Sequence, residues 1–201
     1  MAEEKKKNSW LHGNVLSLGL VSFFTDVSTE MIFSILPSFI LSLPGAGYDV
    51  LGIIEGLAES LSYGLRSISG VFSDKFRRRK AIVFIGYAFS TLTKPLFALS
   101  STASQVLVIR VGDRVGKAVR TSPRDALLSE SVPEEQLGRS FGIHRTLDQL
   151  GAVLGPVIAS SLIMFFGATA RDIFWISFIP GTIALIVLIV LVKEKVGKAT
   201  G

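Results

Sequence analysis

The chain has 201 residues, 49% of them hydrophobic, a formal net charge of +5 and no cysteine. The lack of cysteine excludes disulfides and thiolate metal sites. The apolar residues fall in blocks of about 20, the length of a helix that crosses a bilayer, and not at the 3.6- or 2-residue period of a soluble domain.

Taken in chain order, residues 1–13 form a polar tail with Lys5, Lys6 and Lys7 together. The first predicted span covers 14–41 and is too long for a signal peptide. After the turn PGAGYD, the second covers 50–72 and runs into the basic segment GVFSDKFRRRK. The third covers 81–99 and ends at SSTAS. The fourth, 105–119, is the most polar, and a loop of about 20 residues broken by Pro123 and Pro133 is predicted after it. The fifth covers 141–166, the turn GATARD follows, and the sixth covers 173–192 before a basic tail, 193–201.

Six spans put both chain ends on one side. The segments on that side hold Lys5 to Lys7, Lys75, Arg77 to Lys80, Arg120, Arg124, Arg139, Lys193, Lys195 and Lys198, and the opposite turns hold Arg171. Cations stay cytoplasmic during insertion, so both termini are expected in the cytoplasm of a multi-pass cell-membrane protein. The same clustering explains the basic charge without nucleic acid.

Three segments carry specific patterns. In the loop after the second span, Gly70 allows close helix approach, Asp74 is placed to cap the next helix, and Lys75, Arg78 and Arg79 anchor the headgroup side. On the fourth span, Arg110, Asp113, Arg114 and Lys117 lie at i, i+3, i+4 and i+7 and form one charged stripe. Arg at the bilayer centre costs roughly 2.5 to 3.5 kcal/mol, so the stripe has to line water or meet acids. On the fifth span, Gly151, Gly155 and Pro156 combine small residues four apart with a helix-bending proline.

Taken in this order, the three segments resemble motifs of the major facilitator superfamily. Gly70, Asp74, Lys75, Arg78 and Arg79 are similar to its loop between the second and third helices, with Arg77 where a second glycine is usual. Arg110 and Gly116 fit its fourth-helix motif, with Asp113 and Arg114 in place of Gln and Gly. Gly151, Gly155 and Pro156 resemble its antiporter signature, with Ser160 in place of the last glycine. The resemblance implies an all-α polytopic membrane protein of six helices, one half of such a fold, built as a 3+3 inverted repeat and resembling the N-terminal half of proton-coupled antiporters. It also implies a secondary active transporter of a small solute working by alternating access, with proton-coupled export. Gly70, Asp74, Lys75, Arg78, Arg79, Asp113, Gly151, Gly155 and Pro156 are then the conformational motif. Glu59, Tyr63, Arg110 and Asp148 are the cavity candidates.

The remaining membrane acids are read from spacing. Asp26 and Glu30 lie four apart on the first span, and Glu55 and Glu59 four apart on the second. At 1.5 Å of rise per residue, Asp26 comes level with Arg114, and Glu30 lies toward the level of Arg110. Asp26 and Glu30 are therefore expected to exchange the proton, with Arg110 or Arg114 holding the deprotonated form. For Glu55, Glu59 and Lys94, a structural ion pair and a functional role both stay open.

A superfamily member has twelve helices, and this sequence supplies six. The expectation is a homodimer or pairing with a second half-transporter chain. A fragment of a twelve-helix carrier and a non-transporting accessory subunit are the alternatives. The expected partners are the bilayer, a small-molecule substrate and protons. No cofactor or metal is expected, and no Ser/His/Asp, Cys/His or phosphate-loop pattern suggests an enzyme.

Overall fold

The computed structural model describes residues 13–76 and 78–194, without the side chains of 67 and 70–76. Among them are seven α-helices: α1 (Asn14–Phe33), α2 (Leu36–Leu41), α3 (Tyr48–Phe76), α4 (Arg79–Leu99), α5 (Ala103–Ser129), α6 (Leu137–Phe166) and α7 (Ala170–Leu191). A short 3-10 turn, Glu134–Gln136, leads into α6, and no strand occurs among the described residues.

The first span is a broken rod. Pro37 lies in the first turn of α2, and its ring would clash with the carbonyl four residues earlier, at Phe33, where α1 ends. The fourth span exceeds its predicted bounds, because α5 continues through Pro123 to Ser129 and takes up half of the expected loop. Thr102 and Gln105 form a capping box at the start of α5, and Thr169 and Asp172 form one at the start of α7. Gly167 closes α6 in the left-handed region at φ 64°.

By length and composition, four helical stretches suit a membrane crossing: Asn14–Leu41, Arg79–Leu99, Glu134–Phe166 and Ala170–Leu191. The more polar α3 and α5 do not meet that measure.

The packing follows a simple plan. The α1 helix packs on α6 and α7, α4 packs on α5 and α7, and α3 rests chiefly on α5. Close approach is set by glycine where the backbones meet. A side chain at Gly86 would strike the backbone of Gly116 and Arg120. One at Gly116 would strike Gly86 and Ser90, so α4 and α5 lie nearly backbone to backbone.

Among the core's apolar clusters, two lie on either side of a polar band along α1, and a third gathers Val27, Met31, Ala159 and Ile173. Of the first two, one gathers Val15, Leu18, Val21, Val83, Tyr87, Leu127 and Leu188. The other gathers Ile32, Leu36, Phe39, Ile40, Phe97 and Phe174, with Phe39 and Phe174 edge to face at 5.0 Å. Along α1 the residues between these two clusters include the buried Ser22, Thr25, Ser28 and Thr29, and the same level holds the fully buried Lys94 of α4.

The chain-end face is tied by polar contacts. Asn14 Nδ2 donates to the Lys193 carbonyl at 2.7 Å, and Lys193 N–H donates to Asn14 Oδ1 at 2.8 Å. Lys80 Nζ donates to the carbonyls of Ile189 and Val192 at 2.9 and 2.5 Å. Arg79 pairs with Glu130 at 2.7 Å. On the opposite face, Arg171 donates to the Ser100 carbonyl at 3.0 Å.

Candidate functional site

The charged stripe of α5 meets acids, but not the acids its depth suggests. Arg110 grips Glu55 of α3 with two parallel hydrogen bonds, Nε to Oε1 at 3.0 Å and Nη2 to Oε2 at 2.5 Å. One turn along, Arg114 pairs with Glu59. Both guanidinium groups also lie over the Phe33 ring, at 3.6 and 4.9 Å from its centroid. The arginines are buried, whereas the Glu55 and Glu59 side chains keep 34% and 41% of their surface. The pairs therefore stand at the edge of an open face. Tyr63 continues that face, exposed and covered by Arg66 at 5.3 Å.

Asp26 and Glu30 form no salt bridge with Arg110 or Arg114, which pair with Glu55 and Glu59. The expected partners of Arg110 and Arg114 are instead seated over the glycines of α6. A Cβ placed on Gly151 would lie 3.2 Å from Asp26 Cβ, and one on Gly155 would lie 2.8 Å from Glu30 Cβ. The acids lie near the level of the stripe, with their Cβ atoms against these glycines. Glu30 stands in the field of Lys117, Arg114, Arg110 and Lys94 without a direct bridge to the arginines. Asp26 stands in the field of Arg120, Lys117 and Asp148.

Asp113 turns the other way, toward α4, and accepts a hydrogen bond from Ser90 Oγ at 2.5 Å. Lys94 donates to Thr29 Oγ1 of α1 at 3.0 Å. Asp148 accepts from Ser22 Oγ at 2.8 Å and from Arg145 Nη1 at 3.2 Å. Arg124 donates to Ser22 Oγ at 3.1 Å and to Asp125 at 2.8 Å. Arg120 lies over the ring of Tyr87 at 4.4 Å. The role of Arg124 is not legible in the sequence, because Pro123 argues for a loop there, and the link through Ser22 carries no spacing signal.

In the basic segment, Asp74 falls inside α3, and Arg78 takes the N-cap position of α4 with no side-chain capping bond. The α3 helix continues past Asp74 to Phe76, and the expected cap of the next helix by the Asp74 side chain lies outside the described residues. The side chains of Asp74 and Lys75, and the surroundings of Gly70, lie outside the described residues. A surface hollow of about 430 Å³ is lined by residues such as Leu96, Leu99, Val108 and Ile109 on the outer faces of α4 and α5. Among the described residues, no group of His, Cys, Asp and Glu is arranged to hold a metal ion.

A bundle of membrane-length helices enclosing a charged band is the setting in which the comparisons fall. The profile of the Major Facilitator Superfamily matches residues 18–201. An uncharacterized MFS-type transporter of Methanocaldococcus jannaschii is 40% identical over 185 residues, which is 92% of this chain and 46% of that protein. The chain belongs to the Major Facilitator Superfamily of membrane transporters, a family that is not enzymatic. It is 25% identical to citrate exporter 1 of Aspergillus niger over 93% of its own length and 35% of the exporter's. Its fold is similar to that of a bacterial homolog of the human lysosomal transporter Spinster, solved inward-facing and unoccupied, with a TM-score of 0.77 at 18% identity. That likeness covers 94% of this chain and 44% of the other. The chain spans about half the length of the curated relatives it matches.

Proposed function

We propose that this chain is one six-helix half of a secondary active transporter that moves a small solute by alternating access, coupled to protons and in the direction of export. One observation carries this reading. Glu55 and Glu59 keep a third or more of their surface exposed on a bundle of membrane helices, while their arginine partners are buried. Half-exposed charge at that depth is tolerable where the face lines water, as a solute path does. Glu59, Tyr63, Arg110 and Asp148 are the cavity residues of this reading. Gly70, Asp74, Lys75, Arg78, Arg79, Asp113, Gly151, Gly155 and Pro156 are its conformational motif. Asp26, Glu30, Arg110 and Arg114 make up the region of proton coupling.

The packing plan supports a 3+3 inverted repeat. Numbering the six spans in chain order, the principal contacts are first with fifth, first with sixth, second with fourth, third with fourth and third with sixth. Exchanging first with fourth, second with fifth and third with sixth returns the same set. Cytoplasmic termini are supported by the gathering of Arg79, Lys80 and Lys193 at one end of the bundle, opposite Arg171.

Pairing with a second six-helix unit, either a second copy or another half, is supported by α3. Gly52, Gly56 and Gly64 have open space where a side chain would stand. Nearby Ile53, Leu57 and Leu61 are exposed.

The test is reconstitution into sealed vesicles with an imposed pH gradient, using labelled citrate as an anionic probe and ethidium as a cationic one. The expected result is uphill movement of one probe, abolished by a protonophore. Vesicles that move neither probe, and whose internal pH does not respond to either, would support the accessory-subunit reading instead.

A further inference from the structure

Where α1 crosses α6, each helix brings one aspartate to the contact. Asp26 Cβ lies over Gly151, and Asp148 is one turn before that glycine on α6. Ser22, one turn before Asp26 on α1, donates its hydroxyl to Asp148 Oδ1 at 2.8 Å. Asp148, hydrogen-bonded to Ser22, and Asp26, one turn beyond Ser22, thus occupy the same stretch of the α1–α6 contact. A carboxyl that hydrogen-bonds another carboxyl does so through a proton, because an ionised carboxylate offers acceptors alone.

We propose that Asp26 and Asp148 form a single proton-binding site that couples proton uptake to the closure of α1 against α6. This deepens the proton-coupled reading above, on which it rests, by naming the pair and the contact it controls. When the proton is bound, it lies between an oxygen of Asp26 and an oxygen of Asp148 and ties the helices together. When it leaves to water, two carboxylates face each other across a backbone contact that Gly151 and Gly155 have made too close for them to separate locally. Relief then comes from moving one helix from the other.

The charged groups around the pair suit this cycle. From α5, Arg120 and Lys117 act on Asp26, and Arg124 acts on Asp148, reaching it through the hydroxyl of Ser22. His144 and Arg145 stand beside Asp148 on its own helix, and Asp125 takes part of the charge of Arg124. The α7 helix, which also packs on α1, has its charged residues, Arg171 and Asp172, in its first turn at the far face. From α4, the buried Lys94 also acts on Asp26, so the second negative charge that appears on deprotonation meets cations from α4, α5 and α6.

The site is tested by infrared spectroscopy of the full chain in bilayers, with carbon-13 in its aspartates and no solute present. The expected result is one deuterium-sensitive carboxylic-acid band, equal to one proton per chain and titrating as one group. Asp26→Asn and Asp148→Asn should each remove or displace it. The double variant should do no more than the stronger single one, and Glu30→Gln should leave the band in place. Ser22→Ala keeps both acids and should displace the band, which covers the case in which an Asn variant fails to fold. Absence of any protonated aspartate, or a band unmoved by Asp148→Asn or by Ser22→Ala, would overturn the pair. Because the band is read without flux, vesicles that fail to transport while the band is present would count against the transport reading alone.

Discussion

Glu30 of α1 is seated over Gly155 of α6, so closely that a Cβ on the glycine would lie 2.8 Å from the Glu30 Cβ and 2.8 Å from the Val27 carbonyl oxygen. Asp26 stands over Gly151 in the same way, one turn away. The two glycines that resemble the antiporter signature thus act as a seat for two acids. Replacing Gly155 with Val should push α1 outward at a cost of about 1–3 kcal/mol, the usual penalty of overpacking. Thermal unfolding in detergent checks this against Gly142→Ala, where the added methyl group meets open space and a small change is expected.

The Arg110–Glu55 clasp is open to dissection. Glu55→Gln leaves a buried guanidinium short of its counter-charge and should cost about 1–3 kcal/mol; the cost is held down by the partial exposure of Glu55. The double replacement Arg110→Met with Glu55→Leu should recover much of that loss, since a buried ion pair contributes little over apolar groups of similar size. If the clasp serves transport as well, the double variant stays folded and inactive. Recovery of flux together with stability would reduce the clasp to a structural contact.

Coupling is checked at two depths. Asp26→Asn should abolish accumulation driven by a pH gradient of whichever probe the chain moves, yet leave downhill exchange in place. Glu30→Gln separates the two acids, because Glu30 faces the cations of α5 and not a second carboxyl. If both variants keep full gradient-driven accumulation, neither acid carries the proton.

Pairing is accessible to cysteine chemistry because the chain has none of its own. Gly56→Cys places a thiol on the open face of α3, and in a symmetric pair with α3 at the centre it should cross-link to its copy in bilayers. Met164→Cys, on the exposed outer surface near the end of α6, should remain monomeric under the same oxidant. Equal cross-linking at both positions would indicate random collision.

Asp74→Asn addresses the basic segment. The reading of Asp74 as part of the conformational motif expects reduced flux with normal insertion. Matching flux and matching protease sensitivity in variant and parent would remove Asp74 from that motif.

Much of the fold is legible in the sequence because α1, α4, α6 and α7 are apolar blocks of bilayer length. The α5 helix is harder to bound. Pro123 marks a break in water, but a membrane helix tolerates proline where neighbouring groups satisfy the freed carbonyl, and α5 runs six residues past it. The site was partly legible. Rise per residue gives the depth of Asp26 and Glu30, but pairing also needs direction around the axis, which turns by about 100° per residue. Depth places Glu30 in the field of Arg110 and Arg114 but does not give the direct salt bridges, which those arginines make to Glu55 and Glu59. The acids that do meet those arginines, Glu55 and Glu59, share their four-residue spacing with Arg110 and Arg114, a correspondence visible in the sequence once α3 and α5 are known to be neighbours.

The two clasps between α3 and α5 also set an order of events during synthesis. Glu55 and Arg110 are 55 residues apart, so at ribosomal speeds of about 5–20 residues per second the glutamates wait roughly 3–11 s for their arginines to be made. During that interval α3 has no α5 to lean on, and its acids face the membrane without a counter-charge. The insertion machinery has to shelter α3, or leave it in contact with water, until α5 emerges. The nascent chain is then most vulnerable to quality control after α4 has been made and before α5 is complete.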